Sequence, residues 1–192
     1  MNLKRILALT LSFILIAAAC SCGAKDAPTP LPQYSADGVY AGFSNIPENY
    51  NSDMAIKDGC VVIEHDSLSD TQPRVTAGYR HFEKFIKTAQ DGQDCFVRVA
   101  HFIGSRGTYT DLYYHNGKYA YFKWDELGVS EGKSFLYLRR LESAIDKDQY
   151  FYVLTDSMEL TYHDVSWSYL ASDASTVTKI PFVWLGFAIY FN

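Results

Sequence analysis

Apolar residues follow three different patterns along the chain, and each pattern predicts a different kind of structure. Residues 6–19 form a nearly continuous apolar run behind Lys4 and Arg5. Residues 75–89 place apolar side chains three and four positions apart, with charged side chains between them. Most of residues 95–156 consists of short segments rich in Val, Leu, Tyr and Phe, separated by turn residues. In this order, the patterns predict an export signal, an amphipathic helix and a series of β-strands.

The periodic segments together predict the fold class. The helical pattern extends from Val75 to Ala89 and ends at Asp91-Gly92. One short β-branched run precedes it and five strand-like segments follow it. The predicted strands cover residues 60–65, 95–103, 108–115, 118–124, 134–142 and 150–156. We therefore predict a β-rich α+β fold in which one main helix packs on a mostly antiparallel sheet, a meander.

Three further segments have weaker patterns. Residues 180–191 carry no charge but are too few to cross a membrane as a helix, so they predict a buried final strand. Residues 158–170 fit a strand by their Tyr, Thr and Trp content and a helix by their length, and we favour the strand. Residues 39–52 mix aromatic side chains with Gly, Pro and Asn, and predict only an irregular or edge segment.

Asn116-Gly117 is the clearest turn signal in the meander. Both residues tolerate positive φ, so two of them between β-prone runs favour a type I′ hairpin in which His115 faces Lys118. This register divides the hairpin into two faces. One face carries Leu112, Tyr114, Tyr119 and Tyr121, and the other carries Tyr109, Asp111, Tyr113, Phe122 and Trp124.

Both hairpin faces are apolar, which a sheet with one face in water would not show. One interpretation is that both faces are core, one covered by the helix and the other by the C-terminal segment. The alternative is that the face with Tyr109, Asp111, Tyr113, Phe122 and Trp124 is an exposed ligand patch.

The N-terminal pattern is typical of a bacterial lipoprotein signal. Small residues precede Cys20, which we predict to be the lipidated first residue of the mature chain, with Cys22 as the alternative. A plain secretory signal cut after Ala19 also fits the small residues, and a transmembrane anchor fits less well because the run is short. Acylation would attach the protein to the extracytoplasmic face of the cell membrane.

The chain then divides into three parts. Residues 1–19 are the predicted signal peptide, 20–37 a lipid-attached tether, and 38–192 a single globular domain. Alternating Pro28, Pro30 and Pro32 favour an extended backbone in the tether.

Charge and composition exclude some partners. The signal peptide contains two of the 17 basic residues, so 15 basic residues stand against 22 acidic residues in the mature chain, a formal charge of −7. This sign opposes binding to nucleic acid. The 15 Tyr, 12 Phe and 3 Trp residues are too many for a disordered chain.

Cys60 and Cys95 are the two cysteines inside the predicted domain, and each opens a strand that flanks the helix. If these strands are parallel and adjacent, the cysteines fall within reach of a disulfide. If the strands are antiparallel, the two cysteines remain buried thiols.

Few residues suggest catalysis. There is no HExxH, CxxC, P-loop or dinucleotide-binding motif, and no cofactor is predicted. His101 and His115, with Asp111, are the best candidates for a metal or acid/base site. The sequence therefore favours a non-catalytic binding domain, with a small extracytoplasmic hydrolase or metal-binding protein as the alternative.

The order of parts resembles a family of uncharacterised lipoproteins of Gram-positive bacteria. The resemblance rests on residues 82–86 (FEKFI), 95–99 (CFVRV), 110–118 (TDLYYHNGK) and 152–155 (YVLT). The family usually has a cysteine pair in its last two strands, where this chain has Leu138 and Ser157, so no disulfide is carried over. The resemblance implies a helix and a meander but no activity. The sequence leaves three classes of partner open: a wall component, a protein or a small ligand.

Overall fold

The computed structural model describes residues 31–65, 74–125, 128–129, 132–144, 149–170 and 179–190. The predicted signal peptide, Cys20 and the first part of the tether lie outside these residues. The fold is α+β and rich in strands, as predicted. Within the described ranges, no helix is both long enough and apolar enough to cross a membrane.

Three helices are described, so the prediction of one main helix is not confirmed. They are α1 (Ser52–Lys57), α2 (Tyr79–Gln90) and α3 (Tyr162–Leu170). The helix α3 replaces the strand that we favoured for residues 158–170, and that prediction was wrong.

The amphipathic pattern that predicted α2 also included a short strand. Phe82, Phe85 and Ala89 are buried and charged side chains point outward, as the spacing predicted. Residues 74–77, however, form a strand, and Gly78 separates strand from helix with a φ of 75°. A side chain at Gly78 would also meet the backbone of Cys60 at 2.1 Å, so glycine is required on both grounds.

Seven strands form the main sheet, in the order β2-β1-β3-β4-β5-β6, with β7 paired to β5. The sheet is mixed, because β1 and β3 are parallel while the other pairs are antiparallel. Its strands are β1 (Val61–His65), β2 (Arg74–Ala77), β3 (Cys95–Ile103), β4 (Arg106–His115), β5 (Lys118–Asp125), β6 (Gly128–Val129) and β7 (Lys133–Phe135).

The hairpin between β4 and β5 has the predicted register. His115 is paired with Lys118, and Tyr114 with Tyr119. Asn116 and Gly117 have φ values of 51° and 76°, as a type I′ turn requires.

A second sheet, which the sequence did not indicate, contains three antiparallel strands. The predicted strand 134–142 is divided at Leu136, so that β7 joins the main sheet and β8 joins the small one. The small sheet has the order β10-β9-β8, with β8 (Tyr137–Glu142), β9 (Gln149–Thr155) and β10 (Phe182–Tyr190).

The described chain is arranged in four layers. On one face of the main sheet lie α2 and the small sheet, which share a core with Leu112 and Tyr119. On the opposite face lies the segment 33–50, here called the strap, followed by α1. The helix α3 packs on the outer face of the small sheet through Leu160 and Val165.

This arrangement corrects the predicted covering of the hairpin. The C-terminal strand β10 belongs to the small sheet and therefore lies on the same side of the main sheet as α2. The other face is covered by the strap, for which the sequence predicted only an irregular or edge segment. Both faces are core, and the helix α2 covers one of them as predicted, but the strap covers the other in place of the C-terminal segment.

Candidate functional site

The hairpin face that could have been a ligand patch lies in the interior. Asp111 is 0% exposed, and Tyr109, Tyr113 and Phe122 are buried with it. Trp124 is partly buried and packs against the same cluster. The ligand-patch interpretation was therefore wrong, because these side chains contact the strap and α1 instead of solvent.

A polar network at the centre of this face joins the strap to the sheet. Arg98, which is paired with Asp111 across β3 and β4, donates from Nε to Oδ1 at 2.6 Å and from Nη2 to Oδ2 at 2.7 Å. The same Nη2 donates to the carbonyl oxygen of Gly42 at 2.7 Å. The Tyr40 hydroxyl donates to Asp111 Oδ2 at 2.5 Å and lies 2.7 Å from the Tyr113 hydroxyl.

Ring contacts fix the position of the strap around this network. The Tyr40 ring stacks on Phe122 with 3.9 Å between centroids, and the Arg98 guanidinium lies over the Phe43 ring at 5.3 Å. A Cβ atom at Gly42 would be 2.0 Å from the Tyr40 hydroxyl oxygen, so only glycine permits this approach. The strap therefore packs closely over the network.

Burial removes acid/base function from the two phenols of the network. Burial is the largest cause that raises the pKa of Tyr40 above its usual range, and the charge of Asp111 adds to it. Burial also raises the pKa of Tyr113 to about 12. Both groups stay protonated at neutral pH, and their hydrogen bonds join the strap to the sheet.

His101 lies away from Asp111 and stacks on His65, with 4.7 Å between ring centroids. Its Nε2 atom is buried and has no hydrogen-bond partner among the described residues. Burial lowers the pKa of His101 to about 4, with smaller effects from His65 and Lys123. The ring is therefore neutral at physiological pH.

His115 has a different partner from the one proposed. Its Nδ1 atom lies 2.6 Å from Asp94 Oδ2, and its Nε2 atom lies 2.8 Å from the side-chain nitrogen of Asn116. These side chains are exposed, beside the β4–β5 turn.

The candidate metal or acid/base site is therefore not assembled. Asp111 is bound to Arg98, His101 stacks on His65, and His115 pairs with Asp94. In the part of the chain that the structure describes, no group of three or more His, Cys, Asp or Glu side chains is placed to hold a metal ion.

The two domain cysteines do not bond to each other. Their strands are parallel and adjacent, as a disulfide would need, but Cys60 belongs to the core on the strap side and Cys95 to the core on the α2 side. Cys95 Sγ donates to the Phe85 carbonyl at 3.4 Å, and burial raises the pKa of this thiol to about 12. Because the two side chains lie on opposite faces of the sheet, no disulfide can form between them.

The outward face of α3 is one of several places where the described chain exposes large apolar side chains, and it contains the most exposed of them, Leu170. His163, Trp167 and Leu170 recur at helical spacing and are all exposed; we call them the α3 stripe. Trp167 is 45% exposed and Leu170 is 75% exposed. The His163 and Trp167 rings are nearly parallel, with 5.7 Å between centroids and 18° between planes.

Solvent-facing positions of a helix on a protein surface are normally polar. The inward side of α3 already supplies Val165 to the core, and its outward side adds the apolar side chains of Trp167 and Leu170 beside the polar His163 and Ser166. Met158, in the turn before the helix, is also 60% exposed. Trp167, Leu170 and Met158 thus bring exposed apolar surface together at this helix.

The sequence analysis ranked the helix second for residues 158–170, although a signal for the start of α3 was present. Thr161 and Asp164 form a reciprocal cap, in which Asp164 accepts from the Thr161 backbone at 2.8 Å and the Asp164 backbone donates to the Thr161 hydroxyl at 3.2 Å. The spacing Thr-x-x-Asp before a periodic segment is a helix-start signal. The aromatic content of the segment concealed it.

The α3 stripe and the start of the strap lie on opposite sides of the molecule. The strap covers one face of the main sheet, whereas α3 lies beyond the small sheet on the other. Residues 33–37, the last part of the tether predicted by the sequence, belong to the strap, so the tether would join the domain on the side remote from the stripe.

Comparison with known proteins gives no family. No family model, curated protein or solved structure matches the chain significantly.

Proposed function

We propose that the protein is a lipid-anchored extracytoplasmic domain with a non-catalytic binding role, and that α3 provides the binding surface. The observation that carries this proposal is the α3 stripe, in which Trp167 and Leu170 are exposed on a helix whose other side is already packed. Exposed apolar side chains at helical spacing are costly unless a partner covers them.

The rest of the described chain supports a rigid scaffold for such a surface. Small-sheet and main-sheet residues share one core, and the strap is fixed by the Arg98–Asp111 network. Binding elements on a rigid scaffold lose less entropy when they meet a partner. Anchoring through Cys20 would keep this scaffold at the membrane surface.

Anchoring is tested by metabolic labelling with radioactive palmitate in a bacterial host. We expect label in the wild-type protein and none in Cys20→Ser, with Cys22→Ser as the matched control that keeps its label. Label lost only in Cys22→Ser would move the anchor to Cys22, and no label in any form would overturn the anchoring.

Binding is tested separately on whole cells. A photo-crosslinking amino acid is placed at Leu170, and at the exposed Glu83 on α2 as the control position. A crosslinked product specific to position 170 supports the binding role. Equal products, or none, at both positions would contradict it.

The hydrolase alternative has one specific observation in its favour, the Asp94–His115 pair at 2.6 Å. An aspartate that orients a histidine is a common part of a general-base arrangement. If this alternative is correct, His115→Ala abolishes an activity of the purified protein towards ester or glycoside substrates while folding is retained.

A further inference from the structure

The geometry points to a neutral glycan as the ligand of the α3 stripe, with the Trp167 ring as the stacking platform for a sugar. This inference rests on the proposed binding function and adds the chemical class of the ligand. It follows from the size, charge, ring geometry and position of the stripe.

The size of the stripe favours a small ligand over a large protein partner. An aromatic side chain contributes about 150–250 Å² when fully available, so three partly exposed side chains offer on the order of 300 Å² together. A stable interface between two proteins needs about 800 Å² on each partner. A second copy of this chain or a globular protein would therefore need much more surface, whereas a short sugar chain would not.

The charge of the chain and of α3 disfavours anionic ligands. The helix α3 has the sequence YHDVSWSYL, with Asp164 as its one carboxylate and without Lys or Arg. The mature chain carries a net charge of −7 from 15 basic and 22 acidic residues. Anionic lipid headgroups and phosphate-rich polymers would be repelled by the domain and would find no cation on the stripe.

The ring geometry suits a sugar. The face of an aromatic ring carries partial negative charge, and the C–H groups on one side of a pyranose carry partial positive charge. One face of the Trp167 ring is turned towards the near-parallel His163 ring, which supplies a hydrogen-bonding nitrogen, and a sugar would pack on the part of the indole that is exposed, 45% of the residue. Ser166 lies next to the stripe, and its hydroxyl makes no hydrogen bond with the residues that the structure describes. Sugar hydroxyls would pair with these polar groups while Leu170 contacts apolar substituents.

The position of the stripe suits a ligand beyond the membrane. Cys20 precedes Gln33, the first residue of the strap, by 13 positions. At about 3.1 Å per residue, an extended tether would span about 40 Å. Because this tether joins the side of the domain remote from α3, the stripe would face away from the bilayer.

The test uses the mature lipoprotein purified in detergent, titrated with the hexamer of β-1,4-linked N-acetylglucosamine. Binding is followed by saturation-transfer NMR of the sugar protons and by intrinsic tryptophan fluorescence. We expect saturable binding that weakens at least tenfold in Trp167→Ala. Tyr137→Ala, which removes another exposed aromatic side chain at 37% exposure on the small sheet, is the matched control and keeps the wild-type affinity.

Three results of the binding measurements would overturn the inference. The first is no binding of the hexamer by the wild-type protein, and the second is binding that Trp167→Ala leaves unchanged. The third is stronger association of the stripe with vesicles containing phosphatidylglycerol than with the sugar, which would make the bilayer its occupant. A protein crosslinked specifically at position 170 would refute the glycan but retain the binding role, whereas absence of crosslinks would refute that role as well.

Discussion

Asp111 shows how a single buried charge can hold a segment with no regular structure in place. Its two oxygens accept from Arg98 and Tyr40, and its side chain is 0% exposed. Arg98 in turn donates to the Gly42 carbonyl and covers the Phe43 ring. The strap is therefore bound to the sheet by hydrogen bonds to a charged pair, which are stronger than those between neutral groups.

The network predicts unequal effects for two substitutions. Asp111→Ala leaves the Arg98 guanidinium buried without its partner, and we expect a loss of about 3–5 kcal/mol in the free energy of unfolding. Tyr40→Phe removes one hydrogen bond but leaves the ion pair, and we expect a loss of about 1–2 kcal/mol. Urea denaturation followed by circular dichroism measures both. Equal losses would show that the two residues are not organised around the ion pair.

Gly42 makes a second prediction at this scale. Gly42→Ala places a methyl group 2.0 Å from the Tyr40 hydroxyl oxygen, so the ring must leave Asp111 or the strap must shift. We expect a larger loss of stability than in Gly38→Ala, where nothing lies within 4 Å and only the φ of 78° causes strain. Thermal unfolding of the two variants compares them. A smaller effect at position 42 would contradict the close approach.

His101 makes the stability of the fold depend on pH. Its pKa is about 4 in the folded protein and about 6.5 in an unfolded chain, so the unfolded state binds the proton first. Stability is unaffected above pH 6.5 and falls as the pH drops from 6.5 towards 4, by on the order of 1–2 kcal/mol because the ring is only partly buried. His101→Phe should flatten this dependence between pH 7 and 5.5, and His81→Gln should not. An unchanged slope in His101→Phe would refute the assignment.

Among the secondary-structure elements, those with a strong local signal were predicted correctly. Asn116-Gly117 determines the β4–β5 register because few other residue pairs accept its dihedral angles, and the spacing of Phe82, Phe85 and Ala89 determines α2. The helix α3 was misassigned because Tyr and Trp favour strands on average, while its helical state depends on a cap and on packing against the small sheet.

The cap of α3 can be tested directly. Thr161→Ala removes the hydroxyl that accepts from the Asp164 backbone and donates to its carboxylate at 2.6 Å. We expect a loss of about 1 kcal/mol in stability. Local fraying should appear as faster amide hydrogen exchange in residues 162–166, while exchange in α2 stays unchanged. Uniform acceleration in both helices would argue that α3 has no independent cap.

Across the whole molecule, the sequence predicted the class of fold but not the order of its layers. The apolar character of both hairpin faces correctly indicated two covering segments, because exposed aromatic faces are costly. Which segments cover them is decided by contacts between residues far apart in the chain, such as Tyr40 with Asp111 and Tyr113. The pattern of residues along a short segment does not reveal such contacts. The positions of the strap and of the second sheet could therefore not be deduced from the sequence.

Contacts between residues far apart in the chain also explain why the predicted site residues do not form a site. His101, His115 and Asp111 share neighbouring strands, but each side chain has a nearer partner that the sequence did not indicate: His65, Asp94 and Arg98. The α3 stripe was missed because it becomes visible only when the segment is a helix.

The strap also determines how the domain would respond to tension. Any pull on an anchored N-terminus enters at Gln33, where the backbone of Ala41 donates to the Gln33 carbonyl at 2.8 Å and Tyr34 is bridged to Tyr40. These few bonds would break one after another, releasing residues 33–39 as roughly 23 Å of slack at about 3.3 Å per residue. Only then would the load reach the Tyr40–Asp111–Arg98 network. In an anchored protein, the first residues of the strap would therefore extend under a small load before the load reached the polar network and strained the core.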